Sequence, residues 1–176
     1  IHLAIAVWSW GDYFADKMKG IKMTHAKWRR PDPATAPSDA KAAGLYMICT
    51  MSKHAAEKAG YADALMLDWR GQVAEATGAN IFFIRDGAIH TPTPDCFLNG
   101  ITRQTAIKLA KSRQIEVVER AIFPDELSTF SECFITGTAA EITPVAEIGD
   151  VKYTPGDITG NLVDDYDKLV RGKMTL

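Results

Sequence analysis

The chain has 176 residues, 20 basic against 22 acidic side chains, a net charge of −2 and 47% apolar residues. This composition fits one large domain with its own core. It excludes a disordered chain, and it carries neither the basic footprint of a nucleic-acid binder nor an acidic tail. No apolar run is long enough to cross a bilayer as a helix. Cys49, Cys96 and Cys133 are odd in number and far apart, and the four histidines are scattered. This argues against a disulfide framework and a zinc site, and favours a reducing, cytoplasmic setting.

The chain opens on "IHLAIAVWSWGDYF", which lacks the basic lead and small-residue cleavage site of a signal peptide. Its "LAIAVW" run predicts a buried strand. A chain that opens inside a core strand is expected to lack a preceding segment. The Pro-rich connection "RRPDPATAPSD" should be extended and irregular, with Ser38 or Asp39 placed to cap a helix. Apolar residues at helical spacing then predict a helix from Gly44 to Ala59, ended by Gly60. "ADALMLD" and "QVAEAT" read as a hairpin joined by "WRG". "ANIFFIRDGAIHTPT" reads as a second, turning at Asp86-Gly87.

"GITRQTAIKLAKSRQ" predicts a helix with Ile101, Ala106, Ile107 and Ala110 on one face. "IEVVERAIF" reads as a strand and "PDELSTF" as a short helix started by Pro124. "ECFITGTAAEITPVAEIGD" reads as two strands around a loop of tiny residues, and "NLVDDYDKLV" as a closing helix. Hairpins interspersed with helices imply an α+β (mixed α/β) fold with a mixed, largely antiparallel sheet.

Four stretches have chemical potential. Lys41, in "APSDAKAAGLYM", is flanked by residues small enough to admit a bulky planar partner. A nucleophilic lysine must lose its proton near neutral pH, which burial or a cationic neighbour allows; a solvated surface lysine is the commoner case. In "VAEAT", Val73, Glu75 and Thr77 share a strand face. An inward Glu75 needs a cationic or protonated partner, whereas an outward one is merely wet. "GITRQT" offers free N–H groups and the Thr102 hydroxyl at a helix start, which suits a phosphate or simply caps the helix. In "TGTAAEITP", successive N–H groups around Thr138 and Ala139 form either an anion-binding concavity or a tight turn. Together they supply an amine, a carboxylate for a ring nitrogen and two anion sites, the needs of pyridoxal 5'-phosphate.

The chain resembles the class IV (fold type IV) pyridoxal-phosphate aminotransferases, and within them the branched-chain amino acid aminotransferases. The resemblance runs along nearly the whole chain through "WGDYF", "WRRPDP", "DAKAAGLY", "EATGANIFF", "HTPTPDCFLNGITRQT" and "FITGTAAEITP". It implies a barrel-like sheet core with flanking helices, the C-terminal large domain of those enzymes, over residues 1–176. The family's small N-terminal domain, which gives an arginine to the phosphate and part of the substrate pocket, is then absent from this chain.

The resemblance makes Lys41 the imine-forming lysine and proton shuttle. Tyr46 would sit by the cofactor's phenolic oxygen and Glu75 would pair with the ring nitrogen. Ile101, Thr102 and Thr138 would bind the phosphate. Thr138 and Ala139 would bind the substrate carboxylate, and Trp10 and Tyr13 would line the side-chain pocket. The implied reaction is reversible transamination of branched-chain amino acids with 2-oxoglutarate, giving 2-oxo acids and glutamate, in a homodimer or higher homo-oligomer. One departure is Ala79, where the family commonly has Glu in Gly-Glu-Asn. The alternatives are a D-amino-acid aminotransferase, an aminodeoxychorismate lyase, or a non-catalytic binding or assembly domain.

Overall fold

The computed structural model describes residues 2–8 and 17–176. Nine strands form a single sheet among these residues. They are β1 (Ile21–His25), β2 (Asp63–Leu67), β3 (Val73–Ala76), β4 (Asn80–Arg85), β5 (Ala88–Thr91), β6 (Val117–Glu119), β7 (Glu132–Gly137), β8 (Glu141–Ile148) and β9 (Val151–Lys152). Three α-helices accompany them: α1 (Met47–Lys58), α2 (Ile101–Ser112) and α3 (Asp157–Val170). Short 3₁₀ turns cover Lys17–Lys19, Ala43–Tyr46 and Pro124–Thr129.

The strand order is β3-β2-β1-β8-β7-β4-β5-β6, with β9 attached to β8. β1 runs parallel to both neighbours and β5 parallel to β6, while the remaining pairs are antiparallel. The sheet is therefore mixed and mostly antiparallel, as the hairpin pattern predicts. It curls until its outer ends meet: the Val73 N–H donates to the Ile122 carbonyl, just past β6, at 2.8 Å.

The curl creates an inside and an outside. Met23, Leu65, Ile81, Phe83, Ile135 and Val145 fill the interior, where Phe83 stacks on Phe130 at 4.9 Å. On the outer face Phe82 and Phe134 stack at 4.8 Å beneath Leu109 of α2 and Leu162 of α3. This explains why β4 reads "NIFFIR" without polar alternation: a strand buried on both faces has no solvent side to mark. Leu109 is fully buried. Leu109→Ala should therefore cost about 2–5 kcal/mol, read as a lower midpoint in equilibrium urea unfolding.

Local chemistry explains most of the boundaries. Asp86 and Gly87 both have positive φ, 53° and 78°, as a tight two-residue hairpin turn requires. Gly60, at φ 84°, follows the end of α1 as a C-terminal glycine should. Glu132, buried at the start of β7, accepts from the N–H groups of Gly156 and Thr159, each at 3.0 Å. A carboxylate from the sheet thus caps α3, a match to the helix dipole that spacing could not reveal.

Four expectations need correction. "LAIAVW" is not a buried strand: residues 2–8 have no regular structure, and Leu3, Ile5 and Val7 are 85–90% exposed. Apolar content makes a strand only where a partner edge exists, and no strand pairs with this run among the described residues. The Ile21–His25 segment, unmarked in the sequence, takes a central place in the sheet instead. Neither Ser38 nor Asp39 caps a helix; the 3₁₀ turn starts after Ala42, which makes no side-chain cap. "IEVVERAIF" is a strand only over Val117–Glu119. Finally, the buried face of α2 is Arg103, Ala106, Leu109 and Ala110, while Ile101 is 83% exposed, because the first turn of α2 projects beyond the core.

Candidate active site

An open cleft of about 130 Å³ brings together Lys41, Tyr46, Glu75, Ile101, Thr102 and Thr138. These six positions span almost a hundred residues of sequence and come from five elements. Lys41 lies exposed on the irregular stretch before the 3₁₀ turn, and Tyr46 ends that turn. Glu75 comes from β3, Ile101 and Thr102 open α2, and Thr138 sits in the exposed turn between β7 and β8. Ala139 is in the same turn but borders a neighbouring hollow with Asp63 and Ala140. Trp10 and Tyr13 lie outside the described residues.

Glu75 is buried, which removes the alternative of a wet strand face. Burial, reinforced by nearby Asp63 and opposed by Arg30, pushes its carboxyl up to about 8. Desolvation penalises the charged form and a cationic neighbour relieves part of that penalty. Arg30, only 3% exposed, supplies the relief with its Nε 3.4 Å from Glu75 Oε1. Its Nη1 also donates to the Leu45 carbonyl and the Cys49 sulfur, each at 3.3 Å. Behind this pair, Asp63 accepts from the Thr77 hydroxyl at 2.6 Å and fixes the end of β3. Burial, with help from Glu75, raises the Tyr46 phenol above its ordinary value, so it keeps its proton at neutral pH.

The other wall is built from backbone. Gly100 precedes α2 and offers no side-chain cap, so the first N–H groups of the helix have no intrahelical acceptor and face toward an anion. Across the cleft, Gly137 lets the β7–β8 turn approach the Gly78–Ala79 loop. A Cβ there would meet the Gly78 carbonyl at 3.3 Å. Ala79, which replaces the expected Glu, packs its methyl into that contact. The donor set fits a phosphorylated pyridine aldehyde: an accessible amine, a buried carboxylate, a phenol, and a helix start with a hydroxyl beside it. The buried Thr136 hydroxyl on the same cleft has no hydrogen-bond partner among the described residues, an acceptor's or donor's place left open for a ligand.

Sequence reasoning missed Arg30. The need for a cation beside an inward Glu75 was legible, but the pair is 45 positions apart and only the fold joins them. The sole signal was the doubled arginine in "WRRPDP". Pro31 favours an extended Arg30, and Arg30 does form an isolated bridge alongside Asp68 past the end of β2.

The geometry sets an accessible amine, a buried carboxylate and an uncapped helix start around one cleft. The family model "Amino-transferase class IV" matches residues 1–148. The chain is 43% identical to a probable branched-chain-amino-acid aminotransferase of Aquifex aeolicus over 98% of this chain and 57% of the relative. It is 39% identical to the branched-chain-amino-acid aminotransferase of Pseudomonas aeruginosa, over 98% of this chain and 58% of that one. Two solved structures superpose closely. One is a branched-chain aminotransferase from Thermoproteus uzoniensis with norvaline, at TM-score 0.90 and 38% identity, covering 96% of this chain and 56% of that one. The other is the branched-chain amino acid aminotransferase from Thermobaculum terrenum in its PLP-bound holo-form, at TM-score 0.84 and 36% identity, covering 88% and 52%. The chain belongs to the class IV aminotransferases, in their branched-chain amino acid branch. It spans a little over half the length of these relatives.

Proposed function

We propose that the protein carrying this chain transfers amino groups between branched-chain L-amino acids and 2-oxoglutarate with pyridoxal 5'-phosphate, and that residues 1–176 form its cofactor-binding domain. One observation carries this reading: Lys41, the buried Glu75 and the free N-terminus of α2 face a single cleft. The cofactor, when bound, supplies an electron sink for the bond-breaking at the substrate α-carbon. The chain's own residues do the rest.

Lys41 would bond the cofactor and serve as general base for the α-proton. Glu75 would pair with the ring nitrogen and keep it protonated. Tyr46 would donate to the phenolic oxygen. Ile101 and Thr102 would bind the phosphate through backbone N–H and hydroxyl, joined by Thr138. Thr138 and Ala139 would offer N–H groups to the substrate carboxylate.

Support for the substrate class comes from the relatives' names and from the norvaline bound to the Thermoproteus uzoniensis enzyme. A homo-oligomer in a reducing cytoplasm completes the reading. The three cysteines are free and buried, and no helix among the described residues is long and apolar enough to cross a membrane.

The test is chemical. The full-length protein is loaded with pyridoxal 5'-phosphate, reduced with borohydride and mapped by peptide mass. The pyridoxyl group should appear on Lys41; its absence, or its appearance on another lysine, rejects the assignment. A panel of L-leucine, D-alanine and aminodeoxychorismate with 2-oxoglutarate then tests the substrate, with L-leucine expected to donate its amino group fastest.

A further inference from the structure

Asn80 opens β4 and is 5% exposed. Its side chain reaches away from its own strand to the strap that precedes α2. The Nδ2 group donates to the Leu98 carbonyl at 2.9 Å, and the Gly100 N–H donates to Oδ1 at 3.3 Å. The absence of a side chain at Gly100 permits this approach: a Cβ there would lie 2.6 Å from Oδ1. Directly opposite Asn80 in the β4–β7 pair is Thr136. Its buried hydroxyl has no hydrogen-bond partner among the described residues and lines the same cleft. The two cross-strand neighbours thus form a polar floor under the start of α2, one partnered to the strap and one open toward a ligand.

From this arrangement we infer that Asn80 is a positioning residue for the phosphate end of the cofactor, a role that rests on the reading above. A planar amide is suited to the task because one group both donates and accepts. By engaging Leu98 and Gly100 together it fixes the last residues before the helix. Gly100's own N–H is thereby consumed, so the N–H groups directed at the anion are those that follow it, from Ile101 and Thr102. A phosphate held by such donors loses affinity steeply when the donors shift, because each charge-assisted bond depends on its distance and angle. Leu98 and Gly100 sit on a loop without regular structure; Arg103 and Gln104 of α2 hold Asn99 between them, each at 3.0 Å, while Asn80 ties the strap to the sheet.

The test compares pyridoxal 5'-phosphate with pyridoxal, which differs only in the phosphate. Dissociation constants are measured by fluorescence quenching on the full-length apoprotein for the natural chain, Asn80→Ala and Asn80→Asp. Asn80→Ala should weaken pyridoxal 5'-phosphate about tenfold or more, the loss of two hydrogen bonds, and pyridoxal less than about threefold. Asn80→Asp preserves shape but cannot donate to Leu98, and it adds a negative charge near the phosphate. It should lose at least as much, and its isosteric side chain keeps the test alive if the alanine variant fails to fold. Equal weakening of both ligands, or unchanged pyridoxal 5'-phosphate binding, overturns the positioning role while leaving the proposed function standing. A natural protein that binds pyridoxal 5'-phosphate no better than pyridoxal rejects the phosphate site itself and the inference with it.

Discussion

Lys41→Ala should lower amino transfer from L-leucine to 2-oxoglutarate by about a thousandfold or more in the full-length protein, with cofactor affinity reduced far less. The two effects separate because the cleft separates them. Lys41 stands on an exposed, irregular stretch, whereas the groups proposed to hold the cofactor, Glu75 and the start of α2, belong to the packed sheet and its helix. Removing the amine therefore removes the bond to the cofactor and the base for the α-proton without disturbing the core. A missing general base alone costs about 10²–10⁴-fold, and losing covalent activation adds to it. Steady-state kinetics and a cofactor-binding titration on the same sample check the split. A variant within about tenfold of the natural rate would remove Lys41 from the chemistry. One that binds no cofactor at all would make it a structural residue.

The small neighbours of Lys41 are a sequence-local property, but they marked it out only together with Glu75, the start of α2 and the Gly137 loop. The Asp86-Gly87 turn and the strand–loop–strand around Gly137 were legible because turn chemistry acts over two to four residues. What the sequence hid was long-range. The β1 segment "IKMTH" alternates with its burial, but over only five residues, and its central place is set by parallel neighbours from residues 63–67 and 141–148. "LAIAVW" has the pattern without the partner. Glu132 capping α3, Asn80 strapping Leu98 and Gly100, and Arg30 facing Glu75 all pair side chains that only the curled sheet brings within reach. In the site as in the fold, local signals named the groups that line the cleft, and tertiary structure supplied the groups that hold them.

The Arg30–Glu75 pair should dominate the pH dependence of the apoprotein. An unfolded Glu75 ionises near 4.5, whereas the folded one keeps its proton up to about 8. Between those values the folded state binds more protons, so stability must fall as pH rises. The contribution is fully present below about 4.5 and lost above about 8, on the order of 5 kcal/mol across the window. Glu75→Gln should flatten this slope in urea unfolding between pH 5 and pH 8. Arg30→Met should carry the fall on above pH 8, because the attraction that lowers the carboxyl exists only for its ionised form, which the fold begins to populate there. The loss should be larger at pH 9, where the folded carboxyl would be charged, than at pH 5, where it is neutral. A part of it persists at every pH, since the Leu45 carbonyl also loses its donor. Glu75→Gln placed in the Arg30→Met background should restore much of the pH 9 loss. A penalty independent of pH, or no rescue in the double variant, would show that Arg30 acts only as a strut. The same balance serves the proposed chemistry. A carboxyl poised near neutrality gives up its proton readily when a cationic ring nitrogen arrives, so the pair that destabilises the empty fold as pH rises is the pair that favours the filled one.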